Sequence, residues 1–202
     1  MGYETNVEMK SRLQPTRVLI TGFGPFRDVP YNISWPGVLR MDKNRIECEN
    51  NVILLRNKIN VDYDEVDSRV PELWRTFKPH LAIHVGVAEN ETFRLETHAR
   101  NANYRIPDKD NKLPRSEAIV PGGCPVIHTI FNVTRICEEF NKNPPASRLG
   151  ASISENAGLF ICEYIYYSSL LRGPTLFVHV PLMKYTEDEI AEANGFIAKI
   201  NT

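Results

Sequence analysis

A three-layer α/β/α fold, built on a mostly parallel twisted sheet in a single domain, is what this 202-residue sequence predicts. Three observations carry the prediction. Short apolar runs that stop at glycine or proline recur along the chain, as buried strands do. Stretches with apolar residues at intervals of three and four separate them, as helices do. From Arg17 to Gly86 the order is β-α-β-α-β, which calls for parallel strands joined by helical crossovers.

Residues 1–15 are polar and read as a disordered lead-in, leaving 16–202 as one α/β domain. Arg17-Val-Leu-Ile-Thr21 is the first strand, and Gly22-Phe-Gly-Pro-Phe26 is a turn-rich loop. A helix is expected over Pro36–Met41, with Ser34 as its cap, and a second strand over Glu47–Arg56, with Cys48 in the core. Asp62–Arg75 carries Val66, Val70 and Leu73 on one helical face, and Leu81–Val85 is the third strand. Residues 88–124 are polar and rich in proline and glycine, a connection of the length that carries function or disorder. A helix is expected over Ile127–Asn141, with Ile130, Val133, Cys137 and Phe140 along one face. Ala151–Ser154 is the fourth strand, Asn156-Ala-Gly158 turns the chain, and Phe160–Leu171 is an apolar helix. Thr175–Val180 is the fifth strand, stopped by Pro181, and Thr186 with Glu189 forms a capping box for the last helix.

Composition narrows the function classes. With 24 basic and 25 acidic residues and a net charge of −1, no nucleic-acid or membrane partner held by bulk charge is expected. A chain of this size buries about 70% of its unfolded surface and needs no staples. The four cysteines, Cys48, Cys124, Cys137 and Cys162, show no Cys-x-x-Cys spacing. No signal-peptide core and no run of about 20 apolar residues is present. These features favour free thiols in a cytoplasmic setting, where the sequons at Asn32, Asn90 and Asn132 carry no meaning. No two histidines stand four apart and no ligand cluster is visible, so neither a metal nor another cofactor is expected.

Cys162 lies in the first turn of a helix, where unpaired amides and the helix dipole favour a thiolate, the reactive form. A buried packing role is the commoner use of cysteine. His179, at the end of the fifth strand, is a candidate base, because open parallel sheets present side chains to a ligand crevice there. His84 occupies a similar position and is a rival; His80, His98 and His128 fall near loops. A carboxylate in the irregular segment would orient the imidazole, with Glu96, Glu89 and Glu91 equally eligible on local sequence.

Together the segments resemble one family. Val18-Leu-Ile-Thr-Gly-Phe-Gly-Pro-Phe26, followed by Asn32 and Trp35, resembles the opening loop of the pyroglutamyl peptidases. His84-Val-Gly-Val87 is similar to the strand before the family's glutamate, Asn156-Ala-Gly-Leu-Phe-Ile-Cys162 to its nucleophile motif, and Phe177-Val-His-Val-Pro181 to its histidine motif. The resemblance runs from about Arg17 to the last helix. It implies a cysteine exopeptidase that cleaves after an N-terminal pyroglutamyl residue through a thioester, needing no cofactor. Its partners would be N-terminally pyroglutamylated peptides, and its oligomeric state, monomer or tetramer, stays open. It further implies Cys162 as nucleophile, His179 as base and Glu96 as the acid orienting it. Phe23, Phe26, Arg105, Ile106, Phe160 and Ile161 would contact the substrate, with no metal among the ligands. The chain departs from relatives at Ala88-Glu-Asn-Glu-Thr92, at Arg27-Asp28 and at Val61. Two alternatives remain: a pyroglutamyl-binding homologue with impaired catalysis, and a nucleoside phosphorylase-like enzyme whose Gly22-Phe-Gly24 loop cradles phosphate.

Overall fold

The computed structural model describes residues 14–200 apart from 28, 147 and 183, so most of the expected lead-in lies outside the described residues. Eight strands are found among them: β1 (Thr16–Phe23), β2 (Val52–Ile59), β3 (Leu81–Ala88), β4 (Phe93–Glu96), β5 (His98–Arg100), β6 (Val126–His128), β7 (Ala151–Ser154) and β8 (Thr175–Pro181). The helices are α1 (Ser34–Arg40), α2 (Lys43–Asn50), α3 (Tyr63–Phe77), α4 (Val133–Lys142), α5 (Ile161–Leu170) and α6 (Glu187–Ile200).

Six strands form one sheet in the order β2-β1-β3-β8-β4-β7. The first four run parallel. β4 joins β8 antiparallel, and β7 pairs parallel to β4, so two reversed strands close one edge. Side chains alternate across the strands. Val18, Ile20, Ile83, Val85, Leu176 and Val178 pack on one face with α1, α2, α4 and α6. Leu19, Phe23, Ala82 and Phe177 pack on the other with α3 and α5. β5 and β6 form a separate two-stranded ribbon against α5.

Four local expectations are corrected. The segment read as one strand from Glu47 to Arg56 is a helix followed by a strand. The Asp42 side chain accepts from Arg45 N at 3.0 Å to start α2, Lys43–Glu47 and Arg45–Glu49 pair one turn apart, and Asn51 closes it at φ 52°. Cys48 therefore sits on an exposed helix surface, not in the core. The helix expected from Ile127 begins at Val133, because Asn132 caps it by accepting from Arg135 N at 2.9 Å. Val126–His128 instead pairs with β5, and Ile130 is exposed. Ser34 does not cap α1: its Oγ accepts from Phe23 N at 2.9 Å and bonds Asn32 Oδ1 at 2.7 Å, tying the β1–α1 loop together. Residues 88–124 are ordered by side chain-to-backbone bonds, with Asp108 accepting from Asp110 N and Lys112 N and Asn101 exchanging bonds with Val120. The capping box of α6 forms as expected, between Thr186 and Glu189.

Candidate active site

The site lies where the parallel strands β1, β3 and β8 end, on the α5 side of the sheet. β8 contributes His179 and β4 contributes Glu96. Their antiparallel register sets Glu96 opposite Phe177, so Glu96 is the diagonal neighbour of His179 on the same face. His179 Nδ1 stands 2.7 Å from Glu96 Oε1, and both side chains are buried. Of three eligible acids, only Glu96 meets the imidazole. Glu91 pairs with Lys184 at 2.8 Å on the surface.

Cys162 arrives from α5. The chain turns through Gly158 at φ 100° and Leu159 at φ 50°, then runs extended at Phe160 before the helix begins. Cys162 is thus the second residue of α5, among amides with no intrahelical acceptor. Its sulfur crosses to the sheet at Gly86, the residue paired with His179. A β-carbon at Gly86 would stand 2.9 Å from Cys162 Sγ and 2.8 Å from Phe177 Cζ, so only glycine leaves room for the sulfur. The sulfur therefore lies beside the strand position that faces His179, on the same side of the sheet as the imidazole.

Burial alone would push the His179 pKa down. The Cys162 sulfur and the Glu96 carboxylate overcome it and push the pKa up to about 9. The imidazole therefore keeps its proton at neutral pH. His84, the rival, behaves in the opposite way. Its Nδ1 meets Thr21 Oγ1 at 2.7 Å beneath the site, and burial pushes its pKa down to about 3.

Beside the sulfur is a slot with about 60 Å³ of water-accessible space. Phe23, Phe26, Val61, Val87, Phe160 and Ile161 wall it, with Asn32 as the one polar side chain. Asn32 is spent on the loop, donating to Gly24 O at 3.0 Å and accepting from Ser34. Phe160 packs near Phe26 and edge-on to Tyr63, and the Arg27 guanidinium lies 5.4 Å over its ring. Four of the sequence-derived substrate contacts thus line the slot. Arg105 and Ile106 do not. Arg105 is exposed and held by Glu117 at 3.0 Å, while the Ile106 carbonyl accepts from Tyr63 Oη at 2.9 Å and its side chain faces outward.

Local sequence assigns no role to Gly86, Val87 or Asn32. A motif of small residues closing a strand was the available signal for Gly86; the others are set by packing. A larger cleft of about 490 Å³ opens between α1, α2 and α6, on the other helical layer. Its cations are already paired, Arg40 with Asp188 at 3.1 Å and Lys199 with Glu49 at 3.0 Å, and it lacks a nucleophile. The β1 loop is a poor phosphate cradle, since Phe23 N, Gly24 N and Phe26 N are taken by Ser34 Oγ, Ile59 O and Val29 O.

Comparison with known proteins converges on one family. The model of the pyroglutamyl peptidase family matches residues 16–187. Pyroglutamyl-peptidase 1 of Rattus norvegicus is 33% identical over 186 residues, covering 89% of this chain and 87% of its own length. Pyrrolidone-carboxylate peptidase of Pyrococcus furiosus is 28% identical over 188 residues, covering 89% of this chain and 86% of its own. The crystal structure of pyroglutamyl peptidase I from Bacillus amyloliquefaciens superposes with a TM-score of 0.79 at 27% identity, covering 91% of this chain and 93% of that one.

Proposed function

The chain belongs to the pyroglutamyl peptidase family of cysteine peptidases, and on that premise we propose that it removes N-terminal pyroglutamate from peptides with Cys162 as nucleophile. His179 is the base and acid, Glu96 orients it, and Phe23, Phe26, Phe160 and Ile161 enclose the pyroglutamyl ring. The observation that carries this reading is the buried Glu96–His179 pair with the Cys162 sulfur brought to Gly86, the strand partner of His179, beside an apolar slot.

The chemistry follows from that geometry. The Cys162 thiolate adds to the carbonyl carbon of the pyroglutamyl residue, and the oxygen takes the negative charge. The Cys162 amide, at the open start of α5, is positioned to donate to that oxygen. His179, already protonated, passes its proton to the departing amine as the C–N bond breaks, leaving a thioester. Water then attacks the thioester, neutral His179 takes its proton, and the C–S bond breaks to release pyroglutamic acid and restore the Cys162 thiolate beside protonated His179. Glu96 keeps the imidazole oriented and balances its charge throughout.

Pyroglutamate suits the slot because it is flat, neutral and largely apolar. Enclosing it between rings contributes about 1–3 kcal/mol. A free N-terminal glutamate would bring an ammonium and a carboxylate into walls that offer neither a partner, at a cost that excludes it. The mechanism also requires a reduced thiol. Cys48, Cys124, Cys137 and Cys162 are all unpaired, which supports a reducing, cytoplasmic setting. Among the described residues no helix is long and apolar enough to cross a membrane.

The test is hydrolysis of a chromogenic pyroglutamyl amide by the wild type and Cys162→Ala. Turnover by the wild type and none by a folded variant is expected. Turnover by Cys162→Ala would end the assignment, and a wild type that binds the substrate without turnover would mark a binding homologue.

A further inference from the structure

Next to Cys162 in the chain stands a buried carboxylate with no part in the steps above. Glu163 is fully buried, and its two oxygens take four bonds. Oε1 accepts from Arg100 N at 2.9 Å and Arg100 Nε at 2.7 Å, while Oε2 accepts from Arg100 Nη2 at 2.8 Å and Leu159 N at 2.7 Å. The bond to Leu159 holds the left-handed residue of the turn that presents the sulfur. Arg100 Nη2 also donates to Asn156 Oδ1 at 2.6 Å, and Asn156 Oδ1 accepts from Gly158 N at 3.2 Å. One guanidinium therefore ties the nucleophile turn to β5, four residues beyond Glu96.

We propose that Arg100 and Glu163 form a positioning pair for the peptidase reaction: Glu163 fixes the Cys162 turn, and Arg100 cancels the carboxylate's charge so that the thiolate forms near neutral pH. The inference rests on Cys162 being the nucleophile. A carboxylate one residue from the sulfur would oppose the thiolate if left bare. Clamping the turn by this means requires a cation, and Arg100 delivers it in the bidentate form that matches a carboxylate. The remaining groups around the site do not supply that balance. His179 is matched to Cys162 and Glu96. Arg27 is occupied over Phe160 and on the Pro107 carbonyl. Tyr63 and Tyr104 are held protonated, their pKa values raised by burial.

The experiment is the rate of Cys162 alkylation by iodoacetamide as a function of pH, resolved by peptide mass spectrometry, with folding checked by circular dichroism. Arg100→Gln is expected to move the thiolate midpoint up by about one unit, which slows alkylation below the midpoint about tenfold. Glu163→Gln leaves an unmatched cation and is expected to move it down. The double variant restores charge balance and is expected to return the midpoint to the wild-type value. A pair that only braced the fold would leave the midpoint in place, or lower reactivity in both single variants and more in the double. Either result overturns the proposal, and if one single variant does not fold, the sign of the other's shift decides. Wild-type Cys162 reacting no faster than Cys48 or Cys124 would instead strike at the nucleophile assignment.

Discussion

Replacing Gly86 by alanine tests how closely the site is packed. The strand backbone at Gly86 is of a kind alanine adopts, so the effect comes from the added methyl alone. That methyl would stand 2.8 Å from Phe177 Cζ and 2.9 Å from Cys162 Sγ, where ordinary contact begins near 3.5 Å. At least about 0.6 Å must be recovered (3.5 minus 2.9). Phe177 has little freedom to yield, because the rings of Phe23, His84, Tyr166 and His179 surround it. Cys162 faces the open slot and moves instead, away from His179. Overpacking of this kind costs about 1–3 kcal/mol of stability. A displacement approaching 1 Å at a reacting atom costs about 10²-fold in rate, or about 2.7 kcal/mol of barrier. Steady-state hydrolysis of a pyroglutamyl amide should show kcat/KM down by about two orders of magnitude, with a lowered melting temperature. Wild-type kcat/KM in Gly86→Ala would refute the placement of the sulfur against β3.

Three other outcomes follow from the same geometry. Glu96→Gln keeps the shape of the side chain and removes the charge opposite His179, so the fold should persist while kcat/KM falls about 10²-fold; an unchanged rate removes Glu96 from the mechanism. Phe160→Ala strips one wall of the slot and should raise KM about tenfold, equivalent to about 1.4 kcal/mol, with kcat within a few-fold; a loss confined to kcat would speak against a binding role. The His179 pKa is raised above its ordinary 6.5 to about 9, so charged His179 contributes stability that is full below pH 6.5 and is lost as pH rises through about 9. Hydrolysis and melting temperature should both decline across that upper window, and a melting temperature flat from pH 7 to 10 would contradict the ion pair.

Elements whose signals are local were legible in the sequence. β3 and β8 are apolar apart from Thr175 and one histidine in each because both faces are covered, and α3 shows its buried stripe through Val66, Val70 and Leu73. α2 escaped because it buries only Ile46 and has almost no apolar face, while its aliphatic neighbour β2 drew the strand boundary forward. Its caps, Asp42 and Asn51, were the readable clue. The start of α4 is hard to place from sequence because Val126-Ile-His128 is apolar enough to pass for a first helical turn, and its pairing with β5, His98 to His128 and Arg100 to Val126, joins residues far apart in the chain. In the site, Cys162 and His179 could be linked because their elements are consecutive. Local sequence leaves Glu89, Glu91 and Glu96 equal and only the family resemblance singles out Glu96, because what sets it beside His179 is β4 joining β8 in one register, a property of the assembled sheet. The Arg100–Glu163 pair spans 63 residues and has no local signature at all.

A pyroglutamyl diazomethyl ketone offers the most direct measurement, since it alkylates a thiolate only while its ring occupies the slot. Inactivation in step with one label per chain, mapped to the peptide containing Cys162, is the predicted result. Label on Cys48, Cys124 or Cys137, or activity that survives complete labelling of Cys162, would contradict it.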